Sequence, residues 1–230
     1  LEAQFLRAQR LESIGTLAGG IAHDFNNILA PIMLSLGILD QKATSAEDKK
    51  LIEMLQKNVR RGADLTKHIL TFARGVEGER LPIRVDALIR EVEKTIVETF
   101  PKSIDISVKI DEDIPGIIGD ATQLHQALIN LCLNARDAMP EGGDLQIAAE
   151  GAYLDENYAR MHIDAKVGKY ASISVSDNGV GISPEVKERL FEPFFTTKKT
   201  GEGTGLGLST ALSIVKSHGG FINVYSEVGK

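Results

Sequence analysis

Residues 14–32, IGTLAGGIAHDFNNILAPI, decide how the rest of the chain is read. Ile14, Leu17, Ile21, Ile28 and Ile32 recur mostly every three or four residues, which predicts a helix with one apolar stripe. His23 falls off that stripe. Asn27 lies one turn further along on the same face, and Asp24 follows His23 directly. A lone histidine on a polar face also describes an ordinary solvated helix, so the surrounding sequence must decide between the two.

The helical pattern runs from Leu6 to about Leu39 and holds two oddities. Gly19-Gly20 precede His23, each costing about 1 kcal/mol against Ala inside a helix. Small residues there let another body approach closely, or simply allow a bend. Pro31 cannot donate to the carbonyl of Asn27, so a kink is expected near it. Residues 41–45 are polar and read as a turn. Ser45 then caps a second helix, with Asp48 three residues on as an imperfect capping box. Its expected apolar side is Leu51, Leu55, Val59, Leu65, Ile69 and Phe72. Two long helices and a short loop make an antiparallel hairpin. A hairpin alone leaves apolar stripes exposed, and two copies packed as a four-helix bundle would cover them, so a homodimer is expected.

The 230 residues are 43% hydrophobic and 25% charged, enough for one or two domains with a sizeable core. The net charge of −6 suggests neither a nucleic-acid footprint nor a basic membrane patch. No apolar run is long enough to cross a bilayer, and no signal peptide is legible. The single cysteine, Cys132, sits in an apolar run and reads as a packed core thiol, which fits a reducing cytoplasm. The chain opens inside an amphipathic pattern without Met and stops just after a strand-like run, as a piece of a longer protein would.

Glycine, charge and proline cluster in GVEGERLP, residues 75–82, and mark a domain boundary. Beyond it the pattern becomes mixed. Asp86 is expected to cap a helix through about Phe100, Ile104–Ile110 alternates as a strand, and Asp120–Met139 is a strong helix ended by PEGG. Leu145–Leu154 and Tyr170–Ser176 read as strands joined by a polar loop. Leu206–His218 reads as a helix closed by Gly219-Gly220, and Phe221–Ser226 as a final strand. Strands grouped with helices on one side suggest a two-layer α/β sandwich.

Three blocks in this second region carry chemistry. In NLCLNARDA, Asn130, Asn134 and Asp137 recur at i, i+4 and i+7 as a polar stripe on an apolar helix. Their oxygens in a row suit a hard cation such as Mg²⁺, although an ordinary solvated face would look the same. Asp177-Asn178-Gly179-Val180-Gly181-Ile182 leaves a strand into a glycine turn. Such an Asp can accept from an exocyclic amine while the glycines let a ligand approach, and DNG is also a common turn. Gly201-Glu202-Gly203-Thr204-Gly205-Leu206-Gly207-Leu208 runs into a helix, where backbone N–H groups and the dipole suit phosphates. It is neither a P-loop nor a dinucleotide fingerprint. Between the second and third blocks, FEPFFTTK, residues 191–198, has the aromatic and lysine content of a lid.

In order and spacing these blocks resemble the sensor histidine kinases of two-component systems. His23 with Asp24 and Asn27 resembles their H-box, NLCLNARDA the N-box, DNGVGI the G1 box, FEPFFTTK the F-box and GTGLGL the G2 box. Many members carry proline five residues after the histidine, whereas here Pro31 comes eight after, in keeping with an HDFNN subclass. The resemblance implies an α+β chain. Residues 1–78 would form a dimerisation and histidine-phosphotransfer hairpin, and 79–230 a two-layer α/β sandwich of the Bergerat ATP-binding fold, its last strand lying beyond Lys230. It implies that His23 takes the γ-phosphoryl group of ATP, that Asp24 is its base or orients the ring, and that Asn27 serves phosphatase activity. Asn134 would ligate Mg²⁺, with Asn130 beside it near the phosphates and Asp137 on the same stripe. Asp177 would bond the adenine amine, with Gly179, Gly181 and Ile182 shaping the pocket. Lys198, Gly203, Thr204, Gly205, Leu206 and Gly207 would line the phosphates at the lid. The partner implied is a response-regulator receiver domain. Two other readings stay open: a Bergerat ATPase of the gyrase or heat-shock kind, and an ATP-binding signalling scaffold. In the former a water-activating glutamate stands where this chain has Asn130, and an amide cannot act as a base.

Overall fold

A computed structural model describes residues 25, 27–73, 79–161, 164–198 and 203–229, with the side chains of 61 and 64–73 left outside the description. The chain divides between Gly75 and Val76 into two compact units. Among the described residues no helix is long and apolar enough to cross a membrane.

In the first unit, residues 27–42 form α1, helical without interruption on both sides of Pro31, and Ala46–Ala73 form α2. The Ser45 hydroxyl accepts from the Asp48 N–H at 3.0 Å, the expected cap. Leu36 and Ile52 are the buried side chains of the seam. At Gly62 an added Cβ would touch the Leu29 methyls at 3.4 Å, so the small residue lets the helices close. Of the apolar side expected for α2, Val59 is half-buried, but Leu51 and Leu55 are about half exposed; Leu65, Ile69 and Phe72 lie outside the described side chains. The stripe is wider than one partner helix covers, so Ile52 on its edge takes the seam.

The second unit begins with β1, Leu81–Ile83, and α3, Val85–Thr99. Asp86 is not the cap of α3. It lies inside the first turn, paired with Arg84, because the helix starts at Val85, two residues earlier than a cap at Asp86 would set it. β2, Ile104–Ile110, leads to β3, Ile117–Gly119, which pairs antiparallel with β1. α4 is Ala121–Asp137, capped by the Asp120 carboxylate at the Gln123 N–H, 3.1 Å. β4, Gly143–Leu154, pairs parallel with β2 and antiparallel with β5, Gly168–Asp177. The three-stranded order is therefore β2-β4-β5.

One core joins these layers. α3 contributes Leu88, Ile89, Val92 and Ile96 at helical spacing, α4 Leu128, Cys132 and Ala135, and β4 the alternating Leu145, Ile147 and Ala149. Each fully buried Ile or Leu there contributes roughly 1.5–3 kcal/mol. Burial pushes the Cys132 thiol up to about 12.

Three short helical elements complete the unit. α5, Glu156–Met161, occupies the stretch expected as loop, started by the Asp155 carboxylate accepting the Tyr158 N–H at 2.8 Å. α6, Pro184–Arg189, is capped by Ser183 with Pro184 at its first turn. α7, Gly207–Ser217, packs against α4. It ends as Gly219 takes φ +76° and the Gly220 N–H reaches back to the Val215 carbonyl at 2.9 Å. The strand expected over Phe221–Ser226 is not formed: these residues join no ladder among the described ones. Phe221 instead packs edge-on against Tyr170 at 5.9 Å. Alternating sequence sets which side chains turn inward, but it does not supply the neighbouring backbone a strand requires.

Candidate nucleotide site

Three of the sequence-predicted residues share one face of α4, and three other segments converge on that face. Asn130 is 5% exposed. Its Nδ2 donates to the Gly207 carbonyl at 3.2 Å, and its Oδ1 accepts from Gln126 Nε2 at 3.2 Å. One turn on, Asn134 Nδ2 is buried without a hydrogen-bond partner among the described residues. At the C-terminal turn, Asp137 pairs with Arg136 and with Lys198 of the FEPFFTTK segment. Burial opposes ionisation of Asp137, but hydrogen bonds from Lys198 and Arg136 outweigh it and hold the carboxyl below its ordinary range.

The glycine-rich block enters α7 beside these amides. Leu206 caps α7 without a side-chain hydrogen bond, so the first N–H groups of the helix carry no capping side chain. The Leu206 side chain is 1% exposed, which leaves only its backbone to line a ligand. A Cβ on Gly207 would stand 3.8 Å from Asn134 Nδ2, so the missing methyl opens a cradle at the unpartnered amide. Gly205 has φ +65°, and a Cβ there would fall 2.3 Å from the Phe194 carbonyl carbon. The Phe194 N–H donates to the Gly205 carbonyl at 2.9 Å, and Phe194 itself adopts φ 65°, a conformation uncommon outside glycine. Gly203 lies against Thr196 and Lys198, and the Thr204 hydroxyl accepts the Leu206 N–H at 3.3 Å. Arg189 stacks on the Phe195 ring at 4.3 Å and so steadies the same segment.

Asp177 ends β5, exposed, with one carboxylate oxygen accepting the Gly179 N–H at 3.0 Å. A Cβ on Gly179 would sit 2.5 Å from the Ala138 carbonyl oxygen, so only glycine lets this turn lie on the end of α4. Gly181 and Ile182 are placed differently from the rest: Gly181 packs on the Glu227 carbonyl and the Ile182 N–H donates to the Ser226 hydroxyl at 2.9 Å. They support the turn against the segment after α7. Gln126 was not singled out from sequence, although it extends the Asn130 stripe by one turn. His23 and Asp24 lie outside the described residues, and Asn27 is exposed on α1.

The donors fit a nucleotide. An unpartnered buried amide, a glycine cradle, a helix N-terminus and a lysine suit phosphates. Amide oxygens suit Mg²⁺, which takes few protein ligands and completes its shell from phosphates and water. Among the described residues there is no cluster of three or more His, Cys, Asp or Glu able to hold a metal by itself.

Residues 13–78 match the model of the His Kinase A (phospho-acceptor) domain, and residues 119–230 that of the histidine kinase-, DNA gyrase B-, and HSP90-like ATPase. This chain belongs to the sensor histidine kinases. It is 36% identical to the sensor kinase CckA of Brucella abortus over 232 residues, spanning 100% of this chain and 24% of that protein. It is 28% identical to the sensory histidine kinase/phosphatase NtrB of Rhizobium meliloti, over 99% of this chain and 59% of that one. The solved histidine kinase ThkA, in complex with the response regulator protein TrrA, covers 95% of this chain and 59% of its own at 28% identity and TM-score 0.57. Full-length ShkA in complex with AMPPNP shares the fold over 87% of this chain and 40% of its own, with TM-score 0.71 at 23% identity. The helical region followed by an α/β ATPase domain, read from the sequence, is the architecture of this family.

Proposed function

We propose that the protein containing this chain is an ATP-dependent protein histidine kinase. Residues 1–78 serve as the dimerisation and histidine-phosphotransfer hairpin, and residues 79–230 bind ATP. The observation that carries the reading is the convergence on α4: Asn130 bonded to Gly207, Asn134 unpartnered at the glycine cradle, and Asp137 holding Lys198. Asp177 accepts from the adenine amine. Asn134 offers its oxygen to Mg²⁺, with Asn130 alongside, and Lys198, Gly203, Thr204, Gly205 and Gly207 surround the phosphates. Mg²⁺ supplies charge neutralisation on the phosphates when bound.

An imidazole nitrogen of His23 uses its lone pair to attack the γ-phosphorus. The P–N bond forms as the bond to the bridging oxygen breaks, and ADP leaves with that electron pair. Neutral imidazole is a competent nucleophile near pH 7 because its ordinary pKa is about 6.5. Asp24 takes the ring proton or orients the ring. The phosphoryl group then passes to an aspartate of a response-regulator receiver domain, and Asn27 serves the reverse, phosphatase reaction. The homodimer forms through the hairpin, where Ile28, Leu34, Ile38, Leu51, Met54 and Leu55 are all about half or more exposed. A groove of about 550 Å³ runs along α1 beside Leu34 and Ile38. The location is cytoplasmic, in line with a single cysteine that is buried.

An ATPase that activates water is disfavoured by Asn130. Both ends of its amide are already engaged, and an amide is no base. Incubation with ATP labelled at the γ-phosphate tests the reading: label on the protein supports a kinase, free phosphate an ATPase, and neither a scaffold.

A further inference from the structure

The β4–β5 ladder ends with Leu145 opposite Asp177. One step further, Asp144 faces Asn178 and the side chains continue the pairing. Asn178 Oδ1 accepts the Asp144 N–H at 2.8 Å, and Asn178 Nδ2 donates to Asp144 Oδ2 at 2.7 Å. A turn asparagine usually bonds its own neighbouring backbone. This one reaches a strand 34 residues away and uses both ends of its amide there. The preceding turn is cut to receive it, since a Cβ on Gly143 would stand 2.3 Å from Asn178 Oδ1. On the far side, Gly179 lies on Ala138 and the Val180 N–H donates to the Ala138 carbonyl at 3.0 Å. Asp177 therefore sits between a ladder that ends at its own residue and a clamp that begins at the next.

We propose that Asn178 and Asp144 form a positioning clamp for Asp177, fixing the direction in which its carboxylate meets the base and so setting selectivity for adenine. The proposal rests on the adenine reading of Asp177. Neither clamp residue touches the nucleotide. A carboxylate that reads one exocyclic amine works only within a few tenths of an ångström and 10–20° of the productive geometry. Loosening it weakens binding and discrimination while the phosphoryl-transfer groups on α4 and α7 stay in place, so KM rises and kcat holds.

Calorimetry on the full chain with ATP and with GTP, alongside melting without nucleotide, tests this. Asn178→Asp removes the donor and sets a second carboxylate against Asp144. ATP affinity is expected to fall about tenfold, the size of losing one hydrogen bond to a charged group, and the preference over GTP to shrink with it. Melting should move little, because both side chains are exposed. Asp144→Asn combined with Asn178→Asp exchanges amide and carboxylate and rebuilds both hydrogen bonds, so affinity and selectivity should return to within about twofold of the starting chain. Asp177→Asn separates the two ideas. If it loses ATP while Asn178→Asp binds normally, or if the double variant is not restored, the clamp is overturned and the adenine reading stands. If Asp177→Asn binds ATP unchanged, the adenine reading is wrong and the clamp falls with it.

Discussion

Gly207→Ala should separate nucleotide binding from folding. Gly207 opens α7, and a Cβ there would meet Asn134 Nδ2 at 3.8 Å and Asn130 at 4.0 Å, ordinary contact distances. Nothing in the nucleotide-free protein opposes the methyl. The substitution also lowers the entropy of the unfolded chain, a stabilisation of about 0.4–1 kcal/mol where the backbone suits alanine. Yet the same methyl stands at the Asn134 amide, whose Nδ2 is without a partner among the described residues. Shielding that donor from a phosphate oxygen removes a hydrogen bond to a charged group, worth about 1.5–3 kcal/mol, or roughly ten- to 150-fold in affinity. Calorimetry with ATP and melting without it, on the same variant, read both quantities. The expected result is a melting temperature equal to or above that of the starting chain with ATP affinity reduced at least tenfold. Unchanged ATP affinity would refute the placement of the phosphates at the Gly207 cradle.

Three further outcomes follow from the site, the core and the hairpin. The Asp137 carboxyl is held below its ordinary value near 3.8 in the folded chain, so its contribution to stability is present above that pH and is lost as pH falls through the lower folded value. Asp137→Asn should therefore lower the neutral plateau of a stability–pH curve and flatten its acid limb, the two proteins converging as pH falls below about 4; an unchanged plateau and acid limb would count against the Lys198–Asp137 pair. Cys132 is buried with its thiol pushed up to about 12. It should resist alkylation at pH 8 in the native chain and react once denaturant is added, as followed by mass spectrometry. Asn27→Ala should retain autophosphorylation and lose dephosphorylation of a phosphorylated regulator. Equal loss of both, with a lowered melting temperature, would mean that Asn27 only supports the helix beside Pro31.

Much of this architecture is legible in the sequence because its periodicities are strong. Alternation in Ile104–Ile110 fixes β2, and the apolar run behind Asp120 fixes α4, although Asp120 proves to be its cap and not its first helical residue. The site is legible for the same reason, since Asn130, Asn134 and Asp137 can share a face only on a helix. Short elements escape such a reading. β1 and β3 have three residues each, too few for alternation to register, and they exist only because they pair with each other. α5 hides in a polar stretch, although Asp155 caps it. Phe221–Ser226 fails in the opposite direction: the pattern is right, but a strand is a property of two backbones. The Asn178–Asp144 bonds depend likewise on the register of β4 with β5, which composition does not reveal. Gln126 was legible in principle, one turn before Asn130 on the same stripe.

The most direct test of the central claim is phosphoryl transfer to His23 itself. The chain and its His23→Ala variant are incubated with ATP labelled at the γ-phosphate, and ATP binding is measured on both. The account predicts acid-labile, alkali-stable label on the starting chain, none on His23→Ala, and equal ATP affinity in the two. Label that persists on His23→Ala, at His68 or elsewhere, would contradict it.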